Sequence, residues 1–265
     1  MTGFRSSWGD RAKWLLGGLL VLDLAVLLFV LSLANVTAEG PAQRSLGQSV
    51  AILTEIDAFL DDHLETLRLE AEQAEAAAVV LPDFPVQVSL STEEILTSDR
   101  EEFRSLLLAR SAERIHEDGV AIFQEDRGAE ISFFSPQGAL RSGMDFLRPT
   151  PHRVLMRLTI ALGALAALLT LGLALASHGY GRLLALGLSI FLAATPFLIL
   201  AVAVRFAFRL AADGLDDYFA SEFLELGQDL TWAPVRNGII FTIGGGVMLV
   251  AGAVLTRWSD SRLRI

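Results

Sequence analysis

The sequence predicts an all-α integral membrane protein, with four transmembrane helices and a mainly helical extracytoplasmic domain (minor β) inserted between helices 1 and 2. Three observations predict this class. Four runs of about 20 residues are apolar and almost free of charge. A heptad repeat of leucine and valine follows the first run. Basic residues flank the runs on one side, and acidic residues dominate the segments on the other side.

Residues 1–13 form the predicted cytoplasmic tail, and residues 14–35 form the first transmembrane helix. Its length matches a hydrocarbon layer of ~30 Å at ~1.5 Å per residue. The alternative is a cleaved signal peptide, in which the small residues "VTA" before Glu39 mark the cleavage site. The apolar stretch is about twice as long as a typical signal core, so a retained signal anchor is favoured.

Residues 36–152 form the predicted extracytoplasmic domain, and its first half carries a heptad seam from about residue 43 to residue 78. This pattern predicts one long helix that needs a partner, from this chain or from another, to bury its apolar stripe. Asp57 also falls on the seam, and we expect a slight rotation to turn Ile56 inward in its place. The seam residues that pack or face a partner are Leu46, Val50, Leu53, Leu60, Leu64 and Leu67.

The second half of this domain contains clear start and stop signals. Pro82 and Pro85 end the long helix, and the alternating apolar residues after them predict a short strand. Capping-box spacing predicts helix starts at Ser91 and at Ser98. Gly119 is expected to end the second of these helices. A strand or loop and then a short helix are expected before residue 152.

The other transmembrane helices are predicted over residues 153–177, 183–205 and 235–256. A cytoplasmic turn (178–182), an acidic amphipathic extracytoplasmic loop (206–234) and a cytoplasmic tail (257–265) complete the chain. The three cytoplasmic pieces hold seven basic residues against two acidic ones, which sets the orientation. Four crossings then return both termini to the cytoplasmic side.

The charge of the chain restricts its partners. The net charge is −10, and residues 36–152 hold 22 acidic side chains against 9 arginines. Such a surface repels nucleic acid, so the expected partners are the lipid bilayer and a protein or a second copy of the chain. The chain has no cysteine, which excludes zinc sites of the cysteine type. Arginine far outnumbers lysine, which is typical of a GC-rich bacterial genome and indicates a bacterial plasma membrane.

The apolar runs contain a small set of polar or helix-breaking residues. Asp23 lies ten residues beyond Lys13, about 15 Å deep, where an ionised carboxylate costs about 2.5–3.5 kcal/mol. We therefore expect Asp23 to face the other helices and bond to a hydroxyl. Glycines 244–246 are expected to permit close helix contact. The candidate intramembrane contacts are Asp23, Thr170, Ser189, Thr195 and Pro196, of which the proline is expected to kink its helix.

The acidic loop offers one weak candidate for a cation site. Asp213, Asp216 and Asp217 would share a helix face, where three carboxylates suit a divalent ion, although a solvated acidic face is the favoured interpretation. No nucleophile elbow, zinc-protease motif or phosphate-binding glycine loop occurs. The sequence therefore predicts no catalytic residue, metal ligand or cofactor, and a protein that is not an enzyme.

Two functions follow from these features. The first is a membrane-anchored interaction or assembly protein that presents an acidic helical extracytoplasmic domain to a protein partner. The alternative is a transporter or channel component that uses the Asp23 carboxylate and the helix kinked at Pro196.

Overall fold

A computed structural model of the chain describes residues 3–54, 56–73, 78–81, 84–119, 142–177, 179–212 and 218–262. In chain order the elements are α1 (Gly3–Val36), α2 (Glu39–Thr54), α3 (Ile56–Gln73), β1 (Ala78–Val80), β2 (Ser89–Ser91), α4 (Thr92–Thr97), α5 (Arg100–Asp118), α6 (Pro149–Ala176), α7 (Gly181–Ala212), α8 (Tyr218–Leu230) and α9 (Trp232–Arg262). A short helical segment also covers residues 142–146.

The chain divides into two compact units. The apolar unit comprises Met1–Asn35, Val154–Ala207 and Thr231–Ile265, and the second unit comprises Val36–Arg153 and Phe208–Leu230. Among the described residues, four helical spans are long and apolar enough to cross a membrane: α1 from Lys13 onward, α6, α7 and the span Ala220–Trp258 that contains most of α9. The predictions of a mainly helical chain with four such helices, and of a multi-pass membrane protein, are therefore confirmed.

In the apolar unit, α1 packs against α6 and α7 through an aliphatic cluster of Leu20, Leu24, Ala166, Leu173 and Ala193. A second contact joins α7 to α9 through glycines. A Cβ atom added to Gly245 would lie 2.7 Å from the backbone nitrogen of Phe191, and one added to Gly244 would meet nothing within 4 Å. Of the predicted glycine run, Gly245 therefore makes the close backbone contact.

The close contact extends along α9 at intervals of seven residues. Each glycine of this series faces the backbone or Cβ of one α7 residue, in the pairs Gly238–Leu198, Gly245–Phe191 and Gly252–Leu184. Residue numbers rise along one helix as they fall along the other, so the two helices run antiparallel. Without side chains on α9, the two backbones approach closely and gain van der Waals contact, which is the main attraction between helices in lipid.

In the second unit the described residues of the heptad seam are helical, in α2 up to Thr54 and in α3 from Ile56 to Gln73. Residues 55 and 74–77 lie outside the described residues, so the prediction of one continuous helix over residues 43–78 stays a prediction. α5, which has 19 residues and is about 28 Å long, packs against this seam.

The seam residues lie in the core of this unit. Leu46, Val50, Leu60 and Leu67 are buried, and Leu53 and Leu64 pack against the same core while partly exposed. Phe103, Leu107 and Ile115 of α5 supply the covering surface. Ile56 is also buried, and the exposed Asp57 accepts a hydrogen bond of 3.0 Å from Arg104, as the expected rotation of the seam requires.

The local signals after the seam are mostly confirmed. β1 and β2 pair antiparallel, with Val79 opposite Leu90. Ser91 and Glu94 form the predicted capping box, and the hydrogen bond from the Ser91 backbone N–H lowers the pKa of the Glu94 carboxyl. Gly119 ends α5 with a φ of 80°.

The second capping box lies one residue later than predicted. Asp99, not Ser98, caps α5, and its carboxylate accepts a hydrogen bond of 2.8 Å from the Glu102 N–H. Ser98 already ends α4, where its N–H donates to the Glu94 carbonyl, so it cannot also begin α5. The predicted features of residues 120–141 lie outside the described residues.

The amphipathic segment before α9 forms α8, which packs on α2. Leu226 and Ile52 are buried together, with Phe223, Leu230 and Leu53 packed against them. Residues that lie about 170 positions apart in the chain thus pack together within the second unit. Helix packing between such distant segments buries apolar surface that neither segment can bury alone.

Candidate functional site

Asp23 is the acidic residue within the apolar part of α1, and its side chain is only 7% exposed. Both carboxylate oxygens are buried, and neither has a hydrogen-bond partner among the described residues. Asp23 therefore faces the protein, as expected, but the expected bond to a hydroxyl group is not formed in the part of the chain that the structure describes.

Ser189 lies on the same side of α7 as α1 but at a different level. Its Oγ atom is 3.8 Å from the position of a Cβ on Gly17, which precedes Asp23 by six residues, or about 9 Å along the helix. The Ser189 hydroxyl donates to the Ala185 carbonyl at 3.0 Å. Ser189 is therefore both displaced from Asp23 and already bonded.

Thr195 and Pro196 lie elsewhere on α7. Thr195 follows Ser189 by six residues, a rotation of about 240°, which places it on the side where Phe191 meets α9. Its hydroxyl is buried and has no hydrogen-bond partner in the described part of the chain, and the same holds for Thr242 on α9. α7 continues through Pro196 to Ala212, and Thr170 is half-buried on α6. The structure does not gather the five predicted polar contacts into one site.

A polar contact that sequence reasoning missed joins α1 to α9. The buried Asn237 side chain donates a hydrogen bond of 3.1 Å to the Ser32 hydroxyl, which in turn donates to the Leu28 carbonyl at 2.7 Å. Both residues lie in predicted transmembrane runs, so a search for every amide or hydroxyl in those runs would have found the pair. Neither Asn237 nor Ser32 leaves a buried side-chain atom without a hydrogen bond among the described residues, which marks the pair as a structural contact between helices.

The second unit presents a distinct surface on the outside of α3. Five exposed residues, spaced alternately four and three apart, follow the side opposite the core: Ala58, Asp62, Glu65, Leu69 and Glu72. We call this set the α3 outer face. Leu69 is 56% exposed, and no arginine or lysine of the described ranges pairs with the three acids. Arg100 and Arg104 instead pair with Asp61 and Asp57, at the edge shared with α5.

The predicted cation candidates Asp213, Asp216 and Asp217 lie outside the described residues. Within the described ranges, no group of three histidine, aspartate or glutamate side chains is arranged to hold a metal ion.

No protein-family model, no curated protein and no solved structure matches this chain.

Proposed function

We propose that this protein is a membrane-anchored interaction or assembly protein that presents its second unit, on the extracytoplasmic side, to a basic protein partner. The observation that carries the proposal is the α3 outer face. It combines acidic side chains that have no basic partner among the described residues with one exposed leucine, a pattern that fits a partner with a basic rim around an apolar contact.

Because helices of the same chain cover the core of the second unit, a protein partner would contact the outer surface of this unit. The seam is a predicted contact site for a second copy of the chain, but α5 of the same chain covers it. Two copies that met through the α3 outer face would also bring like charges together, which opposes association. A different protein with basic side chains is therefore the partner that this surface favours.

The orientation in this proposal follows from the basic flanks of the four apolar helices. Reporter fusions after Arg182 and after Gln48 are expected to lie on opposite sides of the membrane, with the Arg182 fusion cytoplasmic. An alkaline phosphatase and a fluorescent reporter at each position would measure this. The same side for both fusions would contradict the orientation and with it the accessible side of the α3 outer face.

Partner binding can be tested with a photo-crosslinking amino acid at position 65 of the full-length protein in its native membrane. We expect one crosslinked product that disappears when Asp62→Lys and Glu72→Lys are introduced together, because reversed charges repel a basic partner. Reversal of two exposed acids on α5, Glu101→Lys and Glu113→Lys, is the matched control and is expected to leave the product unchanged.

Two outcomes would contradict this proposal. An equal loss of the crosslinked product in both double variants would show a general charge effect rather than a binding surface. A crosslinked product composed only of two copies of the chain would show that the α3 outer face binds a second copy and not a basic partner.

A second candidate function is that of a transporter or channel component, and the unpaired Asp23 carboxylate is the observation that favours it. Ion or proton flux in proteoliposomes would support it, provided that Asp23→Asn abolishes the flux without changing abundance or assembly.

A further inference from the structure

We propose that Asp23 is a proton-binding site inside the apolar unit, where the side chain is held as the neutral carboxylic acid at pH 7. This inference concerns the state of one side chain and is independent of the partner proposed above.

The first step is the burial of Asp23. Its two oxygens are covered and have no hydrogen-bond partner among the described residues. Leu20, about one turn before Asp23, and the adjacent Leu24 contribute to an aliphatic cluster with α6 and α7, whose members on those helices include Ala166 and Ala193. These side chains offer neither a hydrogen-bond donor nor a charge.

The second step is the absence of a counter-charge near Asp23 among the described residues. The contact of Leu16 with Gly172 sets the register of α1 against α6 and places Arg157 level with Leu31, about 12 Å along the axis from Asp23. By the same reasoning, the Gly17–Ser189 and Ser32–Asn237 contacts place the arginines of α7 and α9 farther away. The basic residues of the apolar unit in the described ranges are Arg5, Arg11, Lys13, Arg157, Arg182, Arg205, Arg236, Arg257 and Arg262.

The third step is energetic. An ionised carboxylate that is removed from water without a partner is strongly unfavourable, so such a group neutralises instead. A metal cation would need several oxygen ligands, and the described residues hold no group of three histidine, aspartate or glutamate side chains arranged to provide them. A basic side chain of another protein cannot contact oxygens that are fully covered. A proton is the counter-charge that requires neither a cavity nor a second ligand.

Infrared spectroscopy of the full-length protein in lipid bilayers tests this directly. Subtraction of the Asp23→Asn spectrum from the wild-type spectrum at pH 7 is expected to leave the carbonyl stretch of a neutral carboxylic acid. Glu65→Gln, which removes an exposed acid, is the control and is expected to leave only carboxylate bands. Carboxylate bands in the Asp23 difference would overturn the proposal.

Two further measurements test the same assignment without the Asp23→Asn variant. In the wild type, carboxyl-¹³C aspartate is expected to shift the neutral-acid band, and the absence of a shifted band at pH 7 would overturn the assignment. Asp23→Leu is expected to raise the thermal midpoint in detergent, because it removes unpaired buried polar atoms. A clear fall in the midpoint would instead indicate a hydrogen-bond donor to Asp23 and a structural role.

Discussion

Gly245→Ala is expected to prevent α7 and α9 from packing, although the change adds a single methyl group. The added Cβ atom would lie 2.7 Å from the Phe191 backbone nitrogen and 3.1 Å from its Cα atom. A backbone cannot move aside as the end of a flexible side chain can, so the two helices must separate. Separation also loosens the contacts seven residues before and after, and we expect a loss of about 3 kcal/mol or more, at the upper end of overpacking effects.

The measurement is the thermal midpoint of the purified protein in detergent, together with the fraction that remains monodisperse. Gly244→Ala is the matched control, because this neighbouring position is exposed and has nothing within 4 Å of an added Cβ. It is expected to leave the midpoint unchanged or slightly raised, since alanine favours helix more than glycine does. Equal effects of the two substitutions would show that the glycines act through helix propensity and not through the close contact.

Leu60→Asp is expected to unfold the second unit. Leu60 is 1% exposed at the centre of the seam, and its replacement both leaves a cavity and buries a charge without a partner. Large-to-small changes at such sites cost about 2–5 kcal/mol, and an uncompensated buried charge adds to that loss. A total above about 4 kcal/mol is a large part of the stability of a typical domain.

Limited proteolysis of the full-length protein in detergent, with the cleavage sites identified by mass spectrometry, would measure this loss. Leu69→Asp is the matched control on the same helix, because Leu69 lies on the α3 outer face and is largely exposed. It is expected to keep the protease resistance of the wild type. Comparable cleavage in both variants would contradict the assignment of the seam to the core.

Leu60→Asp and Leu69→Asp together distinguish a loss of folding from a loss of partner binding. If the α3 outer face contacts a partner, Leu69→Asp should weaken the crosslink at position 65 while the second unit stays protease-resistant. Loss of the crosslink in Leu60→Asp alone would report only unfolding. The exposed leucine therefore provides a test of the proposed function that does not depend on the stability of the core.

Local composition is sufficient to predict several features of this protein. The four apolar helices follow from local composition, because about 20 uncharged apolar residues are sufficient to span a bilayer whatever surrounds them. The inward face of the seam, the Ser91 capping box and the Gly119 helix end are likewise properties of a few neighbouring residues. The interactions that stabilise these features lie within one or two helical turns, so the local sequence pattern predicts them.

Other features depend on packing between segments that are distant in the chain. The partner that covers the seam is α5 of the same chain, and the difference between Gly244 and Gly245 depends on which of them faces Phe191. The isolation of Asp23 depends in the same way on the registers of α6 and α7 against α1. These registers are set by packing between segments more than 100 residues apart in the chain, and helices of the same composition can pack in several registers. The local pattern contains no information that selects among them.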